Sequence, residues 1–277
     1  MSQGTQVCDH RWMIEPYLAQ WGLVPDGAPI TTHTGILLPV LQGSTPAILK
    51  VATVEEERAG AEVMVWWAGE GAACVLAHDR GALLMERLDG PESLVTMARS
   101  GRDDEASQIL CAVAGRLHAP RPHPPPSVVP LSRWFRSLEF AASAHGGVFV
   151  KAAETAHHLL ATPREVTTLH GDLHHANVLD GGRRGWLAID PKGLLGERGF
   201  DFANLSCNPD LEIATTPGRL SRQTDVVALA AGLDRTRLLQ WVVAYAGLSA
   251  AWTLADGDQP TIALAVAALA EAELKAP

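Results

Sequence analysis

The stretch 166–190, VTTLHGDLHHANVLDGGRRGWLAID, constrains this chain more than any other part of its sequence. Val166–Leu169 reads as a strand, broken by the loop His170-Gly171-Asp172, and Asn177 follows Asp172 by five residues. Val178-Leu179, a Gly-Gly-Arg-Arg-Gly turn and residues 186–189 then read as a hairpin ending at Asp190. With the turn centred between Arg183 and Arg184, Asn177 and Asp190 stand opposite each other, their side-chain roots ~5 Å apart. Two hard oxygen donors at one end of a hairpin suit magnesium, which takes one or two protein oxygens together with phosphate oxygens and water. Asp172 is left free to act as a base.

Taken singly, each of these residues is explained as well by a turn or a helix cap, and only their joint spacing favours chemistry. Zinc held by His170, His174 and His175 is a rival, but Gly171 and the flanking strand patterns argue against the helix it needs, and H-E-x-x-H is absent. His170 is expected to be a buried organiser of the loop, with His174 and His175 partly exposed.

Lysine is rare, with only Lys50, Lys151, Lys192 and Lys275. Lys50 ends the apolar run Ala47-Ile48-Leu49, where an ammonium facing a cleft needs an anionic partner. Glu57 shares the inward face of the next helix with Ala61, Met64 and Val65, whereas Glu62 falls on the side of Trp66 and Gly69, so Glu57 is the expected partner. Upstream, Thr31-Thr32-His33-Thr34-Gly35 is small and polar and able to meet a phosphate with backbone amides.

Residues 36–52 hold two apolar runs around Gly-Ser-Thr-Pro and read as a hairpin, and 55–68 opens with three carboxylates that suit a helix start. Residues 81–88 read as a buried strand that Asp89-Gly90-Pro91 breaks, so the expected division is 1–88 and 89–277 with a hinge at 86–91. Helices are expected over 104–118, 131–144, 148–161, 222–232, 235–251 and 260–275, with a proline-rich surface connection over 120–130. A small strand-rich part followed by a mainly helical one is an α+β layout with a cleft between two lobes.

A chain of 277 residues that is 47% hydrophobic and 19% charged folds into a globule. The balance of 22 Lys+Arg against 31 Asp+Glu, a net charge of -9, speaks against nucleic acid or an anionic membrane as a partner. Cys8, Cys74, Cys111 and Cys207 form no C-x-x-C pair, which fits a reducing compartment. Without a leader-like start or a run of ~18 uninterrupted apolar residues, a cytoplasmic location is expected.

In order, the small polar loop, the strand lysine, the helix glutamate, the Leu-Leu-Met-Glu strand, H-G-D-x-x-x-x-N and I-D closely resemble the aminoglycoside phosphotransferases of the protein-kinase-like two-lobed fold. Thr31-Thr32-His33, Trp66-Trp67 and residues 81–87, 170–179, 186–191, 193–197 and 247–252 are similar to the streptomycin 6-phosphotransferase branch, grouped with the hydroxyurea phosphotransferases. The resemblance runs from about residue 30 to the C-terminus.

The resemblance implies that Asp172 is the catalytic base and that Asn177 and Asp190 hold Mg2+ on the phosphates of ATP. It implies that Lys50, paired with Glu57, binds the α- and β-phosphates, with Thr34 and Gly35 in the nucleotide-covering loop. The Glu86 carbonyl and Leu88 amide would meet adenine in the hinge, with Met85 behind it, while Asp201 ties the segment after Asp190 to the catalytic loop. Gly171 stands where protein kinases have Arg, and ten residues separate Asp190 from Asp201, so control by loop phosphorylation is not expected. Lys192 is left open between a phosphate oxygen and solvent.

The implied activity is ATP-dependent transfer to a cationic acceptor, streptomycin at its 6-hydroxyl, giving resistance. A kinase for hydroxyurea or another small metabolite is the alternative. A catalytically inactive nucleotide-binding module is disfavoured because no lysine, base or metal position is missing. Residues 201–277 carry nine Asp/Glu against five Lys/Arg, and Asp210, Asp256 and the ring of Trp252 are the expected contacts for guanidinium groups.

Overall fold

The computed structural model describes residues 11–32, 34–54 and 56–275. His33, Glu55 and Cys8, which figure in the expectations above, lie outside the described residues. Helix α1 (Arg11–Trp21), not anticipated from sequence, sets Ile14 into the first core with Tyr17, Leu18 and Trp21 beside it. Strands β1 (Leu23–Pro25), β2 (Ile30–Thr31), β3 (Gly35–Gln42) and β4 (Thr45–Ala52) follow, then helix α2 (Glu56–Trp67), β5 (Val75–Asp79) and β6 (Ala82–Glu86). They make an antiparallel sheet in the order β1-β3-β4-β6-β5, with β2 also on β3.

The two-residue period of β4 decides what faces the site. Ala47, Leu49 and Val51 point into the sheet core, so Ile48, Lys50 and Ala52 take the other face. On α2 the buried positions are Glu57, Gly60, Val63, Met64 and Trp67, a stripe at helical spacing. Val65, expected on that stripe, is instead exposed, because it sits beside rather than on the i, i+3, i+7 line through Glu57.

Past β6 the chain turns helical. Ser93 caps α3 (Leu94–Arg99), and α4 (Asp103–Leu117) begins with three acidic residues at its positive end. The proline-rich connection leads to β7 (Val129–Pro130), α5 (Leu131–Trp134), α6 (Arg136–His145) and α7 (Val148–Ala161). The single helix expected over 131–144 is thus two, joined at buried Phe135. Next come β8 (Val166–Leu169), β9 (Val178–Asp180), β10 (Trp186–Ala188) and β11 (Leu194–Glu197). The chain finishes with α8 (Phe200–Ala203), α9 (Leu211–Ala214), α10 (Arg219–Ala231), α11 (Arg235–Ala255) and α12 (Thr261–Lys275).

Helix α11 is apolar and 21 residues long, enough by length and composition to cross a membrane. Yet 67% of its apolar window is buried, with Leu239, Trp241, Val242, Tyr245 and Leu248 in a core shared with α6, α7, α8 and α12. It is the central strut of the helical part. A second core joins Met64, Trp67, Leu83 and Met85 to Leu110, Leu173, Val178 and Ala188, so sheet and helices meet through α2 and the 166–190 stretch.

Candidate active site

The loop between β8 and β9 is held from below by one buried carboxylate. Asp201 Oδ2 accepts the backbone N–H of His170 at 2.9 Å, Oδ1 accepts that of Gly171 at 2.7 Å, and His118 Nε2 lies 2.8 Å from Oδ2. Burial alone would raise this carboxyl, but His118, His170 and the loop amide outweigh it and keep its pKa below the ordinary value. Buried His170 receives the Asp172 N–H on Nδ1 at 3.2 Å, so its proton sits on Nε2, which faces the Ile189 carbonyl at 2.8 Å. Its ring stacks on Trp67 with centroids 6.1 Å apart.

Gly171 has φ +83°, and a Cβ there would come within 2.8 Å of Leu194 and 3.2 Å of Lys192. The glycine is therefore required by both backbone conformation and packing, which accounts for the absence of a larger side chain at this position.

The loop presents Asp172 with both carboxylate oxygens held: Asn204 Nδ2 donates to Oδ1 at 2.8 Å and Asn177 Nδ2 to Oδ2 at 3.2 Å. Asn177 Nδ2 also donates to the Asp172 carbonyl at 2.9 Å. Asn204 carries no motif of its own. The one signal for it is its position three residues after Asp201, one turn further along the same short helical segment.

The β9–β10 hairpin corrects an expectation. Asp180 pairs with Trp186 and Val178 with Ala188, so the turn centres on Arg183 and Asn177 aligns with Ile189, one residue short of Asp190. The five-residue turn contains a 3-10 segment, Gly182–Arg184, and this moves the register. Asp190 reaches the site differently: it adopts φ +60°, a costly conformation for a side-chain-bearing residue, and leaves the strand to meet Lys50.

Lys50, Glu57, Asp190 and Lys192 form one charge network. Lys50 Nζ donates to both Glu57 Oε2 and Asp190 Oδ1, while Lys192 Nζ donates to Glu57 Oε1 at 2.9 Å and lies 3.8 Å from Asp190 Oδ2. Glu62 is exposed and takes no part. Burial works to raise the Asp190 carboxyl, but Lys50 and Lys192 lower it below its ordinary value. With Asn177 Nδ2 committed to Asp172, the Asn177 oxygen and the Asp190 carboxylate remain as hard donors that fit a divalent cation such as magnesium.

The histidines are spent elsewhere. His174 Nδ1 receives the Ala176 N–H at 3.2 Å, and burial holds its pKa below the ordinary value. His175 is buried, not partly exposed as expected, because it points down beneath the loop toward the Asp103–Arg219 ion pair. Its two ring nitrogens have no hydrogen-bond partner, and burial with Arg219 nearby pushes its pKa down to about 4.

Thr34 lines the same cleft as Asp172, and Gly35 packs flat against β4, where a Cβ would come 2.6 Å from the Val51 carbonyl. Met85 lines a cavity with Lys50, Glu57 and Asp190. Glu86 ends β6; its Oε1 accepts the Cys74 N–H at 2.6 Å and the guanidinium of Arg184, and Leu88 is half-buried beside the second core.

Two cavities meet at Asp172 and Tyr245. The larger, about 700 Å3, has Trp134, Trp252, Asp256 and Lys192 in its wall; the smaller, about 310 Å3, is lined by His174, Asn204, Asn208 and Thr253. Burial, with Asp172 nearby, raises the Tyr245 phenol well above its ordinary pKa, so it stays neutral. Asp210 is not brought here. It caps α9 through the Ile213 N–H at 3.0 Å and pairs with Arg99, which corrects the expectation that it lines the acceptor cleft.

An antiparallel sheet, a helix glutamate on a strand lysine, and a loop aspartate beside an Asn/Asp pair define the protein-kinase-like fold of small-molecule phosphotransferases. The chain belongs to the aminoglycoside/hydroxyurea antibiotic resistance kinase family, which residues 20–257 match. It is 53% identical over 245 residues to streptomycin 3''-kinase of Klebsiella pneumoniae, covering 87% of this chain and 92% of that one. To streptomycin 6-kinase of Streptomyces griseus it is 31% identical, covering 92% and 86%. Its fold matches aminoglycoside phosphotransferase APH(3'')-Id of Streptomyces rimosus, solved with ADP and streptomycin, with TM-score 0.59 and 16% identity over 87% of this chain and 98% of that one.

Proposed function

We propose that this chain is an ATP- and magnesium-dependent phosphotransferase that inactivates streptomycin and so confers resistance. The observation that carries the acceptor is the 53% identity to a streptomycin 3''-kinase over 92% of that protein. The same comparison favours the 3''-hydroxyl over the 6-hydroxyl expected from sequence, since the 6-kinase is only 31% identical. The division of the chain at 88/89, with a nucleotide-binding hinge at 86–91, belongs to the same proposal.

In this reading Asp172 accepts the proton of the acceptor hydroxyl, with Asn204 and Asn177 fixing the carboxylate so that little reorganisation is needed. Lys50, steadied by Glu57, binds nucleotide phosphates. Asn177 and Asp190 would hold magnesium, which when bound supplies charge neutralisation to those phosphates. Trp252 and Asp256 give the larger cavity a ring face and a carboxylate for a guanidinium, the chemistry that favours streptomycin over small, neutral hydroxyurea.

The test is ATP turnover by the purified protein with streptomycin and with hydroxyurea as acceptors, beside Asp172→Asn. Turnover with streptomycin that drops about 10²-fold or more in the variant, with ADP binding retained, supports the reading. Turnover only with hydroxyurea would keep the mechanism and replace the substrate.

A further inference from the structure

Lys192 is left over by this reading, yet the fold takes trouble to place it. Its N–H donates to the His170 carbonyl at 2.6 Å, and the missing side chain of Gly171 leaves room for its Cβ. Its Nζ donates to Glu57 at 2.9 Å, and it stands in the wall of the larger cavity beside Gly171 and Asp172. Lys50 takes the other Glu57 oxygen but lines the cavity behind, with Met85 and Asp190. One carboxylate thus holds two ammonium groups, and of the two Lys192 alone lines the cavity that contains Asp172.

We propose that Lys192 is a catalytic residue whose ammonium contacts a non-bridging oxygen of the phosphoryl group in transit between nucleotide and acceptor. The inference rests on the phosphotransferase reading above. In that transfer the acceptor oxygen bonds to the γ-phosphorus as its proton passes to Asp172. The bond from γ-phosphorus to the β,γ-bridging oxygen breaks, and its electron pair stays on ADP. Charge spreads over the three non-bridging oxygens meanwhile, and a fixed ammonium beside them stabilises the transition state more than the bound substrate. Lys192 gives a hydrogen bond and a charge but no proton. The neighbouring candidates serve less well: burial lowers the pKa of His174, 3.8 Å from Asp172, and so disfavours its charged form, and Arg133 is exposed near the end of α5.

Lys192→Met and Lys192→Arg in the full chain test this. Each is titrated with ADP and magnesium, with and without tetrafluoroaluminate as a mimic of the planar phosphoryl, and with no aminoglycoside present. Lys192→Met should bind ADP within about three-fold of wild type, lose roughly 30-fold or more of the tightening by tetrafluoroaluminate, and lose about 10²-fold in kcat at a little-changed KM for ATP. Lys192→Arg should recover part of both losses, and it carries the comparison where the Met variant melts early. A parallel loss of ADP and mimic binding would mean that Lys192 merely steadies Glu57, and would overturn the inference. So would a Met variant equal to wild type in all three readings. Absence of tightening in the wild type itself would overturn the phosphotransferase reading along with it.

Discussion

The side-chain amide of Asn204 donates to Oδ1 of Asp172 at 2.8 Å, and its own oxygen accepts from Asn208 Nδ2 at 2.9 Å. The chain Asn208–Asn204–Asp172 fixes the orientation of the carboxylate proposed as the base. Asn204→Ala should therefore lower kcat about ten-fold while the KM for ATP stays near wild type. Asn204→Asp should be worse, because it removes the donor and sets a second carboxylate against Asp172. Steady-state kinetics of the two variants check this; wild-type kcat in both would mean that the contact does not orient the Asp172 carboxylate.

Glu57 holds two lysines, where the sequence suggested that it serves Lys50 alone. A double variant Lys50→Ala/Glu57→Gln should consequently be more impaired in kcat than Lys50→Ala, because Lys192 is released as well. A double-mutant cycle on kcat and on the KM for ATP measures the difference. A double variant no worse than Lys50→Ala would show that the Lys192–Glu57 contact is idle.

Gly60 lets α2 approach the segment that carries Asp190 and Lys192: a Cβ at this position would stand 1.9 Å from the Pro191 carbonyl. Gly60→Ala must push helix and segment apart, with a stability loss of about 1–3 kcal/mol as for other overpacked sites. Activity should fall further than this loss implies, since Glu57 and Asp190 separate together. Thermal melting beside ATP turnover checks it, and an unperturbed variant would contradict the packing described.

How far the site can be read from sequence follows from what each residue depends on. Lys50, Glu57, Asp172, Asn177 and Asp190 are set by local patterns, a strand period, a helix face and a loop spacing, and these converge in the fold. The register of β9 and β10 was less legible, because a five-residue turn can wind into a 3-10 segment and shift the pairing by one residue. Asn204, Tyr245 and the burial of His175 depend on contacts made across long stretches of chain, which no local pattern carries. Helix α1 was missed because its apolar pattern is short and contains Pro16. Asp210 was misread because a helix-capping aspartate and a ligand-binding one look alike in sequence.

His175 makes stability depend on pH. Its folded pKa of about 4 lies below the ordinary histidine value of 6.5, so between these values the unfolded chain binds more protons and stability rises with pH. The contribution is complete above pH 6.5, declines as pH falls and is lost by about pH 4, a span worth about 3 kcal/mol. His175→Leu should flatten the melting temperature across that window. An unchanged slope would mean that other groups set the acid sensitivity.

The structure of the reaction product reveals both the acceptor and the hydroxyl that receives the phosphoryl group. Purified protein is incubated with ATP, magnesium and streptomycin, and the product is analysed by mass spectrometry and two-dimensional phosphorus–proton NMR. The expected product carries a mass gain of one phosphoryl group with the phosphorus coupled to the proton at the 3'' position, in line with the named activity of the 53% identical relative. Phosphorus coupled to the proton at the 6 position would contradict the assigned hydroxyl, and streptomycin recovered unmodified while ATP is consumed with another acceptor would contradict the proposed function.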